Sequence, residues 1–184
     1  MKNAGKKFEE TIKKSIETST QFIIRLQDPP QSFVQSEYSK FSNQNPCDYI
    51  LYDSQYRILM LLELKSTKYK SMNFQLNIDD KQNKMIKYHQ IESLLKFSRY
   101  NGVLSGFLFN FRDEKNKIER TYFQNVIDFN KMISLLEKKS FNEIDLLMNN
   151  SIRLQGKKLR VNYIWDMKQL ILDIRKQKEG MKHE

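Results

Sequence analysis

Between Ile58 and Lys65 the chain is apolar except for one glutamate and the closing lysine: Ile58-Leu59-Met60-Leu61-Leu62-Glu63-Leu64-Lys65. An apolar run of this length reads as a strand buried on both faces of a sheet. Such a strand rarely carries charge, because desolvating a carboxylate or an ammonium is costly unless a partner or a metal compensates. Residues two apart on a strand share a face, so Glu63 and Lys65 project together. A second carboxylate, Asp48, opens another strand-like run, Asp48-Tyr49-Ile50-Leu51-Tyr52. The plain alternative is a strand end emerging into water, with Glu63 and Lys65 as ordinary surface charges.

Composition narrows the choice. A chain of 184 residues is long enough to bury a real core, and a single domain spanning 1–184 is expected. Twelve Phe and nine Tyr within a 39% hydrophobic composition argue for a folded protein and against disorder. The formal charge of +10 favours a polyanionic partner, nucleic acid first and an anionic membrane surface second. No stretch is apolar for long enough to span a bilayer, and the first residues lack the apolar run of a signal peptide. Cys47 is the single cysteine, so no internal disulfide is possible, and no Cys/His cluster suggests zinc. A reducing, cytoplasmic location is the expectation. Cys47 itself is expected to be a small buried side chain beside Asp48.

Periodicity predicts a helix over residues 5–18 with an apolar stripe of Phe8, Ile12 and Ile16, placing Glu9 at the stripe's edge and Glu10 on the far side. A first strand is expected at 22–26, stopped by Pro29-Pro30. Residues 27–47 are polar and predict a long projecting loop. Strands at 48–53 and 57–65 form a hairpin through Asp53-Ser54-Gln55-Tyr56, and residues 66–83 are polar and basic. A helix follows at 84–99, then buried strands at 103–111 and 118–126, and helices at 128–138, 141–149 and 165–178. Strands around an intervening helix predict a mixed α/β layer fold.

An Asp on one strand and Glu-x-Lys on the next is the layout of the metal-dependent PD-(D/E)xK nucleases. More specifically, an ordered set of segments resembles the RecU-type Holliday junction resolvases of Gram-positive bacteria and their phages. These are Asn3-Ala4-Gly5-Lys6-Lys7-Phe8-Glu9, Cys47-Asp48-Tyr49, Glu63-Leu64-Lys65-Ser66-Thr67, His89-Gln90-Ile91-Glu92, Asn101-Gly102-Val103 and Val161-Asn162-Tyr163-Ile164. Two segments depart from the family pattern. The interval that holds a basic stalk in the family contains only Lys40 here, and residues 77–88 are longer than the usual link. The resemblance implies a restriction-endonuclease-like mixed sheet flanked by helices, and a nuclease that resolves four-way DNA junctions by paired symmetric nicks. The alternatives are a nuclease of the same class acting on flaps, forks or duplex, and a non-catalytic DNA-binding module.

On this reading Asp48 and Glu63, with the main-chain carbonyl of Leu64, would hold Mg²⁺, for which Mn²⁺ substitutes, because hard divalent cations take oxygen ligands. Lys65 would orient the attacking water or stabilise charge on the phosphate. The resemblance adds Glu9 as a further ligand or water-holder; a helix N-terminal residue favoured by the macrodipole is the equal alternative. Gln90 would bond the phosphate or the water, with Gln75 as a second candidate and Thr67 as a phosphate contact. His89 has a family counterpart, though a lone helical histidine is more often structural. Lys6, Lys7, Lys13, Lys14, Lys68, Lys70, Lys157, Lys158 and Arg160 would grip phosphates without reading bases. Phe33, Tyr38 and Phe41 would either wedge into a junction or pack the loop onto the body. Cutting two opposed strands needs two sites, which a homodimer supplies. The strand 103–111 and the segment to Val126 are expected to contribute to its interface.

Overall fold

The computed structural model describes residues 4–27, 45–80 and 82–180. The frame is a six-stranded sheet in the order β1-β2-β3-β5-β6-β8. Its members are β1 (Gln21–Arg25), β2 (Tyr49–Asp53), β3 (Ile58–Thr67), β5 (Val103–Asp113), β6 (Ile118–Asn125) and β8 (Ile152–Arg153). Neighbours are antiparallel except β3 and β5, which run parallel with Glu63 opposite Phe107 and Lys65 opposite Phe109. A parallel pair needs a crossover, and α2 (Tyr88–Phe97) supplies it. Mixed sheet and flanking helices together match the α/β layering expected from the sequence.

Alternation along the strands builds two cores, one on each face. On one side Leu61, Phe107, Phe109 and Phe111 meet α2 and α3 (Val126–Leu135). The rings of Phe107 and Phe109 stack at 5.1 Å, and Phe129 of α3 packs on both. On the other side Met60, Leu62, Leu64, Leu104 and Leu108 meet α1 (Ala4–Lys14) and α5 (Met167–Gly180). Each such fully buried large side chain is worth about 1.5–3 kcal/mol. Gly106 lets β5 and β6 approach closely, since a Cβ there would run into the Gln124 carbonyl and the Phe123 ring. Gly102 turns the chain into β5 with a φ of 81°.

The expected elements are present, with shifted ends. α1 stops at Lys14 instead of residue 18: Ser15 N–H closes onto the Ile12 carbonyl, and Ser15 Oγ accepts from Trp165 N–H. The helix foreseen over 84–99 begins only at Tyr88, because Ile86 is drawn into a bridge with Phe74. The polar stretch 66–83 hides a strand, β4 (Ser71–Asn73), whose Met72 is buried. β4 pairs with β7 (Ser140–Asn142), the start of what read as a helix over 141–149; only α4 (Glu143–Leu147) is helical there. Asn142 caps α4 by accepting from Ile144 N–H and Asp145 N–H. Before α5, the chain adds the hairpin of β9 (Gly156–Lys158) and β10 (Tyr163–Trp165). The loop foreseen at 27–47 lies largely outside the described residues, as do Lys40, Phe33, Tyr38 and Phe41.

The expected interface role of residues 103–111 is corrected. β5 lies inside the sheet, hydrogen-bonded to β3 and β6, with both faces covered, so it offers no surface to a second copy.

Candidate active site

The carboxyl end of β3 delivers Glu63 and Lys65 to the α2 face of the sheet, where Leu61 already packs against that helix layer. Asp48 arrives there because β2 runs antiparallel to β3, pairing Tyr49 with Leu62. Its main chain is fixed by Leu26 N–H, which donates to the Asp48 carbonyl at 2.9 Å. Its side chain is fixed by Leu64 N–H, which donates to Asp48 Oδ2 at 2.8 Å. Glu63 is almost wholly buried, and Lys65 Nζ donates to its Oε1 at 2.8 Å.

Gln90 completes the cluster. Its Oε1 accepts from Lys87 N–H at 3.0 Å, capping the start of α2, and this aims Nε2 at Glu63 Oε1, to which it donates. The cap settles the amide's orientation, since Lys87 N–H needs an acceptor and the carboxylate needs a donor. Burial pushes the Glu63 carboxyl up to about 7; Lys65 pulls it down, and the Asp48 carboxyl beside it pushes it further up. Cys47 is buried next door, as expected, its thiol pushed up to about 12 mainly by burial, with Glu63 and Asp48 adding to it. His89 is held below its ordinary value by burial and by Lys87 and Lys65, which keeps it neutral near the cluster.

Two facing carboxylates, one deeply buried, balanced by a single ammonium and an amide, suit a divalent cation. The donor set is all oxygen, and Leu64 lies against Asp48 where its main chain can add another. Among the described residues no three of His, Cys, Asp and Glu gather as a metal-binding group, so the acidic donors here are two.

Other residues singled out from the sequence sit elsewhere. Glu9 belongs to α1, on the opposite face. Its carboxylate accepts from the Tyr49 hydroxyl at 3.0 Å and pairs with Arg25 Nε at 3.2 Å. Burial and Glu9 together push the Tyr49 phenol well above its ordinary value. Gln75 is used structurally: Oε1 accepts from Tyr88 N–H, and Nε2 donates to the Asp80 and Gln82 carbonyls. Thr67 does share the face of Glu63 and Lys65. It is buried, however, and its Oγ1 accepts from Tyr69 N–H, so it presents no surface to a phosphate.

The basic residues divide between the two faces. Lys68 and Lys70 follow β3 directly and line a cleft of about 840 Å³ on the α4 side. Lys7, Lys158 and Arg160 line a cleft of about 410 Å³ across the sheet, joined by Arg112 and Lys117. There Lys7 Nζ donates to the Val161 carbonyl and Lys158 Nζ to the Lys117 carbonyl. Lys14 and Lys157 border a third hollow near Trp165, while Lys6 and Lys13 stand exposed on α1. Arg112 was not foreseen. It closes the apolar run of β5, donates to Ser66 Oγ at 3.1 Å and pairs with Glu114. The signal was present in Asn110-Phe111-Arg112, where polar residues alternate with buried phenylalanines, but only the parallel pairing places it beside β3.

No family model matches the chain. The SPbeta prophage-derived uncharacterized protein YotM of Bacillus subtilis (strain 168) is 34% identical over 137 residues, 74% of this chain. The chain spans 63% of that relative's length. Among solved structures, Archaeoglobus fulgidus Hjc, a Holliday junction resolvase from an archaeal hyperthermophile, matches with 17% identity and a TM-score of 0.47. That match covers 78% of this chain and 93% of the other. No helix among the described residues is long and apolar enough to cross a membrane.

Proposed function

We propose that this chain is a metal-dependent endodeoxyribonuclease that acts on four-way DNA junctions as a homodimer. The observation that carries the nuclease reading is the convergence of Asp48, Glu63 and Lys65 at the carboxyl end of β3, with Gln90 locked onto Glu63. The junction class rests on the ordered segments that resemble the RecU-type resolvases.

Asp48 and Glu63, with the Leu64 carbonyl, would hold Mg²⁺ or Mn²⁺. Such an ion would supply positive charge for the scissile phosphate and lower the pKa of water. The chain's own groups do the rest. Lys65 places a positive charge beside the phosphate, where negative charge builds as a water oxygen attacks phosphorus and the bond to one deoxyribose oxygen breaks. Gln90, whose amide cannot rotate without uncapping α2, holds Glu63 in one rotamer and so fixes the direction of its oxygens. Burial of Glu63 beside Asp48 disfavours two uncompensated negative charges, which suits the pair to a proton or a cation.

The deciding experiment offers a labelled four-way junction and a matched linear duplex to the protein with Mg²⁺, Mn²⁺ or EDTA, using Asp48→Asn as control. Paired symmetric nicks that need both the ion and Asp48 are expected. Equal cutting of duplex would reassign the substrate. Tight, salt-sensitive binding with no cutting would make this a non-catalytic DNA-binding module.

A further inference from the structure

Past Thr67 the chain leaves β3 through a short turn, Lys68-Tyr69-Lys70, before β4 begins at Ser71. The turn is tied down: Tyr69 N–H donates to Oγ1 of the buried Thr67 at 3.1 Å. Its aromatic ring nevertheless stands out in water, 67% exposed, with Lys68 Nζ 5.6 Å from the ring centroid. Lys70 and Lys115 border the same 840 Å³ cleft. Among the described residues Lys68, Lys70 and Lys115 form no ion pair, whereas Arg112, Arg120 and Lys138 on the cleft wall are each matched by a carboxylate.

An anchored, exposed ring between unpaired lysines suits one kind of ligand particularly well: a nucleic-acid strand, whose bases stack on the ring while ammonium groups track the phosphates. A paired duplex keeps its base faces covered, so the ring has something to stack on only where a nucleotide is unpaired. The cleft lies on the same face of the sheet as Glu63 and Lys65. At about 3.3 Å per extended residue, and with the chain bending after Thr67, Tyr69 stands at most about 13 Å from Lys65. With steps of at least about 3.4 Å per nucleotide, that is no more than about four nucleotides from the phosphate Lys65 would face.

We propose that Tyr69 is a base-stacking residue, and that with Lys68, Lys70 and Lys115 it forms a binding site for an unpaired DNA strand leading to the catalytic cluster. This rests on the nuclease reading and adds to it that the substrate, a four-way junction included, exposes an unpaired base a few nucleotides from the cut.

The test uses the full chain in EDTA, so that binding is read without cleavage. A 12-nucleotide single strand carrying 2-aminopurine and its matched duplex serve as probes. Tyr69→Ala is expected to weaken single-strand binding about tenfold and to remove the fluorescence change, with Tyr69→Phe within about twofold of the parent. Duplex affinity is expected to be unchanged in both. Parental single-strand affinity in Tyr69→Ala would overturn the proposal. So would equal losses in the Ala and Phe variants, or equal losses on single strand and duplex. Failure of the parent to cut any DNA with Mg²⁺ would sink the nuclease reading while leaving the Tyr69 binding result to stand by itself.

Discussion

Two carboxylates are buried on adjoining strands, Asp53 at the turn end of β2 and Glu63 near the carboxyl end of β3. Asp53 is met by neutral donors only: Gln21 Nε2 at 2.9 Å on one oxygen and Tyr56 N–H at 2.8 Å on the other. It closes the hairpin turn. Glu63 shares its pocket with Asp48 and draws on Lys65 and Gln90 for compensation. Burial alone therefore does not mark a site. A buried acid saturated by hydrogen bonds is a structural peg, whereas a buried acid facing another acid is poised to take up a proton or a cation.

The difference is sharpest in activity. Glu63→Gln or Asp48→Asn is expected to cut the metal-dependent cleavage rate by at least about a hundredfold, and Lys65→Ala by a similar factor. Asp53→Asn should leave the rate per folded molecule within about twofold. A gel assay of nicked junction against folded protein concentration decides this. Loss of activity on changing Asp53 would erase the distinction.

Stability should move in the opposite sense. Glu63 titrates near 7 in the fold and about 4.5 when unfolded, so between those values the folded state holds the extra proton. The contribution of Glu63 to stability is then greatest below about pH 4.5 and is lost as pH rises through 7. At pH 8 without metal, Glu63→Gln is expected to be more stable than the parent, by an amount on the order of 3 kcal/mol, since each pKa unit is worth about 1.4 kcal/mol. At pH 4.5 the two should coincide. Urea midpoints at both pH values measure it. Millimolar Mg²⁺ should raise the parent's midpoint at pH 8 and leave Glu63→Gln unmoved. Asp53→Ala, by contrast, strands two buried donors and should cost about 2–3 kcal/mol in either condition.

Smaller effects separate the supporting residues. Gln90→Ala is expected to lose about 1 kcal/mol of stability from the helix cap and roughly tenfold in cleavage, because Glu63 loses its fixed rotamer. Glu9→Gln should change cleavage least, within about threefold, because its partners are Tyr49 and the half-exposed Arg25 across the sheet. A loss with Glu9→Gln as large as that with Glu63→Gln would bring Glu9 into the metal site after all.

Much of this arrangement is legible from local rules. The run at 58–65 reads as a buried strand, and the period-two rule puts Glu63 and Lys65 on one face whatever surrounds them. Asp48 could be guessed as their neighbour, since a short hairpin forces β2 to lie antiparallel to β3. Glu9 shows where the local rules stop. Helical periodicity set it at the edge of the apolar stripe, but the stripe packs on the face of the sheet away from the carboxylates. The strands β4 and β7 were missed because each is three residues long and carries one buried side chain, Met72 or Phe141.

The sequence by itself determined the sheet's inner strand, the pairing of acid and ammonium on it, and the basic charge that favours a polyanion, because these follow from periodicity and composition. Tertiary structure alone decided which face each helix covers and therefore that Gln90 reaches Glu63 while Glu9 does not. It also decided that Gln75 and Thr67 are consumed internally, and that the Tyr69 ring stands exposed at a basic cleft. The reason is physical: contact across a sheet depends on the handedness and length of crossovers, which no local pattern of residues encodes.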